Sequence, residues 1–203
     1  ENITKIYGDT DFHLNATSNS AGRISYSIVG ATNATTLSGA NNTTVTLGTV
    51  GSITIRATQV ADGSFSEATK DITLSITKRP IEITADAKTK EYGELDPTFT
   101  YQITTGSLVG SDEFTGDLSR ALGEDVGTYI INQGTVDNSN YDITFITDNL
   151  TITKATLTAT ADDKSKVQGE ANPTFTISYL GFKGTDNDTV LDTEPTATST
   201  ADN

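Results

Sequence analysis

Asp125-Val126-Gly127-Thr128-Tyr129-Ile130-Ile131 reads as a turn running into a β-strand, with side chains alternating between two faces. An acid, a glycine and a tyrosine at this spacing make a tyrosine corner. The Tyr129 hydroxyl reaches back to backbone upstream, and Ile131 points into the space between two sheets. Outward from this stretch, Ile81–Ala85, Thr98–Ile103, Thr128–Ile131, Tyr141–Phe145 and Leu150–Thr153 alternate apolar with polar residues and are rich in β-branched side chains, so each is predicted to be a half-buried strand. Turn signals separate them at Tyr92-Gly93, Asp96-Pro97, Thr105-Gly106, Val109-Gly110, Gln133-Gly134 and Asp137-Asn138-Ser139-Asn140. About seven short strands between such turns predict an all-β sandwich.

The same pattern recurs along the chain. A 76-residue shift lays Lys78-Arg79-Pro80-Ile81-Glu82-Ile83-Thr84-Ala85-Asp86 onto Lys154-Ala155-Thr156-Leu157-Thr158-Ala159-Thr160-Ala161-Asp162, and about half of the positions from Thr77 to Thr100 are identical. A more distant copy opens the chain, where Lys5-Ile6-Tyr7-Gly8-Asp9-Thr10-Asp11 fits Lys90-Glu91-Tyr92-Gly93-Glu94-Leu95-Asp96 at a shift of 85, and Val50-Gly51-Ser52-Ile53-Thr54-Ile55 is a weaker form of the corner stretch. Three units follow: residues 1–78, a sandwich without its first strand; 79–154, a complete one; and 155–203, the opening part of a third. The first unit has no counterpart of Ile81–Ala85 and the third stops near the counterpart of Gly127, so open strand edges are expected to pair between molecules or to be completed by further residues. Only Lys78-Arg79-Pro80 joins the first two units, and Pro80 fixes its own φ while driving Arg79 toward extended backbone. Successive sandwiches are therefore expected to stack as a rod, each adding on the order of 30–40 Å.

Composition narrows the function. The chain has no Cys, Met or Trp, which excludes disulfides, thiolate metal sites and thiol catalysis. Thirteen Lys and Arg against 27 Asp and Glu give a net charge of −14, which repels phosphate backbones and anionic headgroups, so neither nucleic acid nor membrane is an expected partner. No apolar run approaches the ~18 residues of a membrane span, and no leader opens the chain, so any export signal is expected outside it.

These residues resemble the tandem MBG (mostly bacterial immunoglobulin-like) repeats of bacterial surface proteins and adhesins. The resemblance rests on Ile152–Lys166, on Tyr92-Gly93-Glu94-x-Asp96-Pro97, on Val126-Gly127-Thr128-Tyr129, whose Asp-x-Gly-x-Tyr spacing is that of an immunoglobulin strand with Ile131 in the cysteine's place, and on Asn140-Tyr141-x-Ile143-Thr144-Phe145 before Leu150–Lys154. The first unit resembles a related bacterial Ig-like type through Tyr7-Gly8-Asp9-x-Asp11-Phe12-x-Leu14. The third departs, with Val167-Gln168-Gly169 where the family has Tyr-Gly. The family implies tandem immunoglobulin-like sandwiches on the bacterial surface, in an extracellular stalk or adhesive role without catalytic residues.

Site residues follow from this frame. Asp125, Gly127, Tyr129 and Ile131 shape the corner, and Pro80 sets the linker. Tyr92, Gly93, Asp96 and Pro97 form a turn that belongs at the pole facing the next unit, with Gly93 at positive φ and Asp96 in an Asx turn before Pro97. The weak calcium candidates are Asp86, Asp162, Asp163, Asp186 and Asp188, with Asp112-Glu113 beside them, and none has the spacing of an EF-hand. No other cofactor is expected. His13, the sole histidine, lies between Phe12 and Leu14 as an exposed strand residue with no nucleophile motif, so no enzymatic activity is expected. Neighbouring repeats are the expected partners, and direct contact with a glycan or a surface protein is the alternative; there is no Trp, and most of the tyrosines and phenylalanines are assigned to strand positions explained by core packing.

Overall fold

A computed structural model describes residues 1–200. Every extended element is a β-strand, joined by turns and two single 3-10 turns. In the N-terminal unit, β1 (Ile3–Ile6), β7 (Ala68–Thr77), β6 (Gly51–Gln59) and β3 (Ile24–Val29) form one sheet in that spatial order. The second sheet is β2 (Phe12–His13), β5 (Thr44–Thr46) and β4 (Thr36–Ser38). Alternation puts Ile53, Ile55, Leu74 and Ile76 of the first sheet against Val45 of the second, with Leu14 just after β2, in one buried cluster. Ile53, in the place of the corner tyrosine, is thus a core residue, and His13 is exposed with Nδ1 3.2 Å from the Thr44 hydroxyl.

The middle unit repeats the scheme with the same number of strands, four in one sheet and three in the other. Its sheets are β11 (Ser119–Arg120), β12 (Gly127–Asn132), β14 (Asp148–Thr153) and β9 (Lys88–Glu91) on one side, and β10 (Tyr101–Thr105), β8 (Arg79–Ala85) and β13 (Tyr141–Ile146) on the other. Ala85, Ile131, Leu150 and Ile152 close the core between them. The chain passes from one sheet to the other between β8 and β9, and Asp86 pins that crossing: its N–H donates to Thr100 O at 2.8 Å while its carboxylate accepts from the Thr100 hydroxyl at 2.5 Å and the Gln102 amide at 3.2 Å. The C-terminal unit shows β15 (Thr158–Ala161) paired with β16 (Ile177–Leu180), and Asp162 makes the same contacts with Thr176 and Ser178. Residues 201–203 of the segment assigned to this unit lie outside the described residues.

Two expectations need correction. Lys78-Arg79-Pro80 is not a linker: β7 ends at Thr77 and Arg79 already belongs to β8, which leaves Lys78 alone between the units. Pro80 is tolerated because β10 pairs with β8 only from Glu82 onward, so the missing N–H falls before that ladder begins. The strand expected from Thr98 begins instead at Tyr101, after Pro97 and the Asp86 contacts.

Candidate functional site at the unit junctions

Each unit presents a tight turn at its pole. Ile6-Tyr7-Gly8-Asp9 closes through Asp9 N–H to Ile6 O at 3.0 Å, Glu91-Tyr92-Gly93-Glu94 through Glu94 N–H to Glu91 O at 3.1 Å, and Val167-Gln168-Gly169-Glu170 through Glu170 N–H to Val167 O at 3.1 Å. The third residue is glycine with φ of 78°, 81° and 89°, which a turn of this kind requires. In the first two turns the residue before the glycine is a tyrosine, Tyr7 or Tyr92, and it projects toward the next unit; in the third it is Gln168.

At the first junction the Tyr7 hydroxyl donates to Asp112 Oδ2 at 3.0 Å, and Tyr141 donates to the same oxygen at 2.7 Å. Tyr141 also accepts the Val109 N–H at 2.7 Å, so its hydroxyl is satisfied in both directions although the residue is 1% exposed. The Tyr7 and Tyr141 rings meet edge to face at 5.7 Å, and Phe114 meets Tyr141 in the same way at 5.7 Å. A Cβ on Gly8 would lie 2.3 Å from Val109 Cγ2, so the turn approaches the next unit as closely as a glycine permits. Arg79 Nη1 donates to Tyr7 O at 3.2 Å, and Val50 N–H donates to Asn140 Oδ1 at 3.1 Å. Burial first, then the Asp112 carboxylate, raises the Tyr7 phenol, and burial pushes the Tyr141 phenol up to about 12.

The second junction reuses the geometry with different chemistry. Lys183-Gly184-Thr185-Asp186 stands where Val109-Gly110-Ser111-Asp112 stands, and the loops close alike, with Asp186 N–H to Lys183 O and Asp112 N–H to Val109 O both at 3.0 Å. A Cβ on Gly93 would lie 2.4 Å from Lys183 Cβ. The Asp186 carboxylate beside Tyr92 is the foremost influence that raises that phenol's pKa. Lys183 Nζ bridges to Glu94 at 2.7 Å and Glu91 at 3.0 Å, and the ammonium holds Glu94 below the usual carboxylate range. Phe182, Ala155 and Leu157 line an open cleft of about 450 Å³ beside these groups.

A four-charge network braces the turn of the middle unit. Lys90 is buried and donates to Asp96 at 2.7 Å and Glu124 at 2.6 Å, while Arg120 Nε reaches Asp96 at 2.5 Å and its Nη2 reaches Glu124. Arg120 foremost lowers Asp96, and Lys90 foremost lowers Glu124. The Arg120 guanidinium also lies 5.4 Å over the Tyr129 ring, whose hydroxyl donates to Asp125 O at 2.8 Å. A Cβ on Gly123 would lie 2.2 Å from that ring, so the corner needs this glycine, whereas a Cβ on Gly127 would come no nearer to it than 4.0 Å.

The structure thus puts Tyr92 and Gly93 at the second junction and Asp125, Gly127, Tyr129 and Ile131 at the corner. Asp96 is not an Asx cap before Pro97: its carboxylate neutralises Lys90 and Arg120. The weak calcium candidates do not gather. Among the described residues no three metal-binding side chains cluster, Asp86 and Asp162 are taken by hydroxyl donors, Asp186 lies beside Tyr92, and Asp188 opens a 3-10 turn while Asp163 stands apart. Asp112, Val109, Tyr141, Asn140 and Lys183 were not assigned to a junction from sequence, although aligning the two Gly-x-Asp loops would have marked them.

Among known families, the MBG domain (YGX type) matches residues 81–151 and 157–203, well over half of the chain. No curated protein matches it.

Proposed function

The chain belongs to the MBG domain (YGX type) family, a repeat module of bacterial surface proteins rather than a known enzyme family, and from that premise we propose that residues 1–203 form a non-catalytic stalk segment of a secreted or surface-displayed adhesin. In this role the segment holds a distal binding region away from the cell and the Tyr-Gly turns set the angle between successive units. One observation carries the reading: the same turn, with the same close approach of its glycine to a Gly-x-Asp loop of the next unit, occurs at Tyr7-Gly8 and again at Tyr92-Gly93. A spacer needs reproducible joints between units, and a repeated contact across two joints supplies one. No described helix is long and apolar enough to cross a membrane.

Small-angle scattering of the fragment tests this. Units stacked end to end give a radius of gyration of about 30 Å, from a length on the order of 100 Å. A value near the ~17 Å of a compact chain of this length would overturn the stalk reading.

A further inference from the structure

Seven asparagines, Asn2, Asn15, Asn33, Asn41, Asn42, Asn149 and Asn187, have a threonine two residues on and no proline between. Asn-x-Thr is the acceptor pattern for an N-linked sugar on a surface loop of an exported protein. The structure separates the seven. Two of them already use the side-chain amide: Asn2 Oδ1 accepts the Thr73 N–H at 3.0 Å, and Asn42 Nδ2 donates to Tyr26 O at 3.1 Å. After Asn33, Thr35 is buried, and Asn149 and Thr151 are held within β14 opposite Ile130 and Thr128 of β12. After Asn41, the Thr43 hydroxyl turns to Ala40 O at 3.1 Å. Asn15 is exposed, but among the described residues no hydrogen bond joins it to Thr17.

Asn187-Asp188-Thr189 combines exposure with a fixed amide. All three residues are exposed, and Asn187 Oδ1 accepts both the Thr189 N–H at 3.0 Å and the Thr189 hydroxyl at 2.7 Å. The backbone donor settles which end of the amide faces the turn, because an N–H cannot donate to the NH2 group. Nδ2 is left without a hydrogen-bond partner among the described residues. Glu113 and Thr115 hold the equivalent places in the middle unit and are exposed in that complete sandwich, so the exposure of Asn187 and Thr189 belongs to the loop itself.

We propose that Asn187 is the acceptor of an N-linked sugar, taken from a donor that carries the sugar on a diphosphate. Nδ2 attacks the anomeric carbon of the donor: the C1–Nδ2 bond forms as the C1–O bond breaks, the diphosphate leaves with the electron pair, and one Nδ2 proton passes to a base of the transferase. The Thr189 hydroxyl on Oδ1 draws electron density from the amide, which makes that proton easier to remove, and the two bonds to one oxygen hold the amide in a single orientation. One residue from Asp186, the sugar stands at the rim of the second junction.

Two arms test the assignment and identify the donor: the fragment with a soluble asparagine glycosyltransferase and UDP-glucose, and the fragment with a membrane oligosaccharyltransferase and a lipid-diphosphate oligosaccharide. Peptide mapping by mass spectrometry reads the occupancy of every asparagine. In the arm whose donor is used, Asn187 is expected to fill about tenfold faster than each of the other six, and about tenfold faster than in the free peptide Thr185–Leu191, where the turn is not held. Thr189→Val should abolish the transfer and Thr189→Ser should retain it. Absence of sugar from Asn187 in both arms, or faster filling of another of the seven, overturns the proposal. Equal rates in the fragment and the peptide overturn the part given to the turn.

Discussion

The two junctions share a backbone geometry and differ in what seals it. At the first, two phenols converge on Asp112 inside an aromatic cluster, and the most deeply placed of them is almost fully buried. At the second, one phenol lies beside Asp186, and the direct bonds come from Lys183 with Glu91 and Glu94, all in contact with solvent, beside an open cleft. Equal turns therefore do not make equal joints. Buried hydrogen bonds and ring contacts resist ionic strength, whereas exposed ion pairs are weakened by it.

Asp112→Ala should break the comparison hardest. It leaves two phenols without an acceptor and is expected to cost about 2–4 kcal/mol in chemical unfolding of the first two units. Asp186→Ala should cost clearly less, and equal losses at the two sites would contradict the distinction.

The three turn glycines separate backbone strain from docking. Gly169→Ala meets nothing within 4 Å, so it is expected to cost only the ~1 kcal/mol of a left-handed alanine. Gly8→Ala bears the same strain and must also displace Val109, adding roughly 1–3 kcal/mol. Thermal melts of the two variants measure the difference.

Alkaline titration should act on the first junction at higher pH than on ordinary tyrosines. The Tyr141 phenol is raised in the folded state to about 12, so the stability linked to its protonated form is complete below the unfolded value near 10 and is lost as pH rises through the folded one. Absorbance of tyrosinate, followed with unfolding, should show the buried phenol ionising last. The smallest effect is expected from salt: raising NaCl from about 0.05 to 0.5 M should broaden motion at the second junction and leave the first unchanged, as read by NMR relaxation of the separate units.

Alternation and β-branching made most strands legible, and the 76-residue shift marked the repeat because near-identical segments need near-identical cores. The corner was readable because its acid, glycine and tyrosine lie within five residues of one another. The joint was harder. Tyr7 and Asp112 are 105 residues apart, and nothing local distinguishes an aspartate that accepts phenols from one on a solvated turn. Asp96 misled for a related reason: its local signal, an acid before proline, is that of a turn cap, but a buried Lys90 brought in from β9 claims it. Arg79 and Pro80 looked like a spacer because proline interrupts ladders, and only the late start of β10 shows why a strand can hold one there.

The absence of cysteine allows spin labels to be placed at will, and the widths of two distance distributions test the central claim that the Tyr-Gly turns lock the units together. Labels at exposed Ser27 and Thr144 span the first junction, and labels at exposed Thr144 and Thr160 span the second. A narrow distribution across the first, a broader one across the second, and marked broadening of the first by Gly8→Ala are expected. Distributions of equal width that Gly8→Ala leaves untouched would contradict the claim.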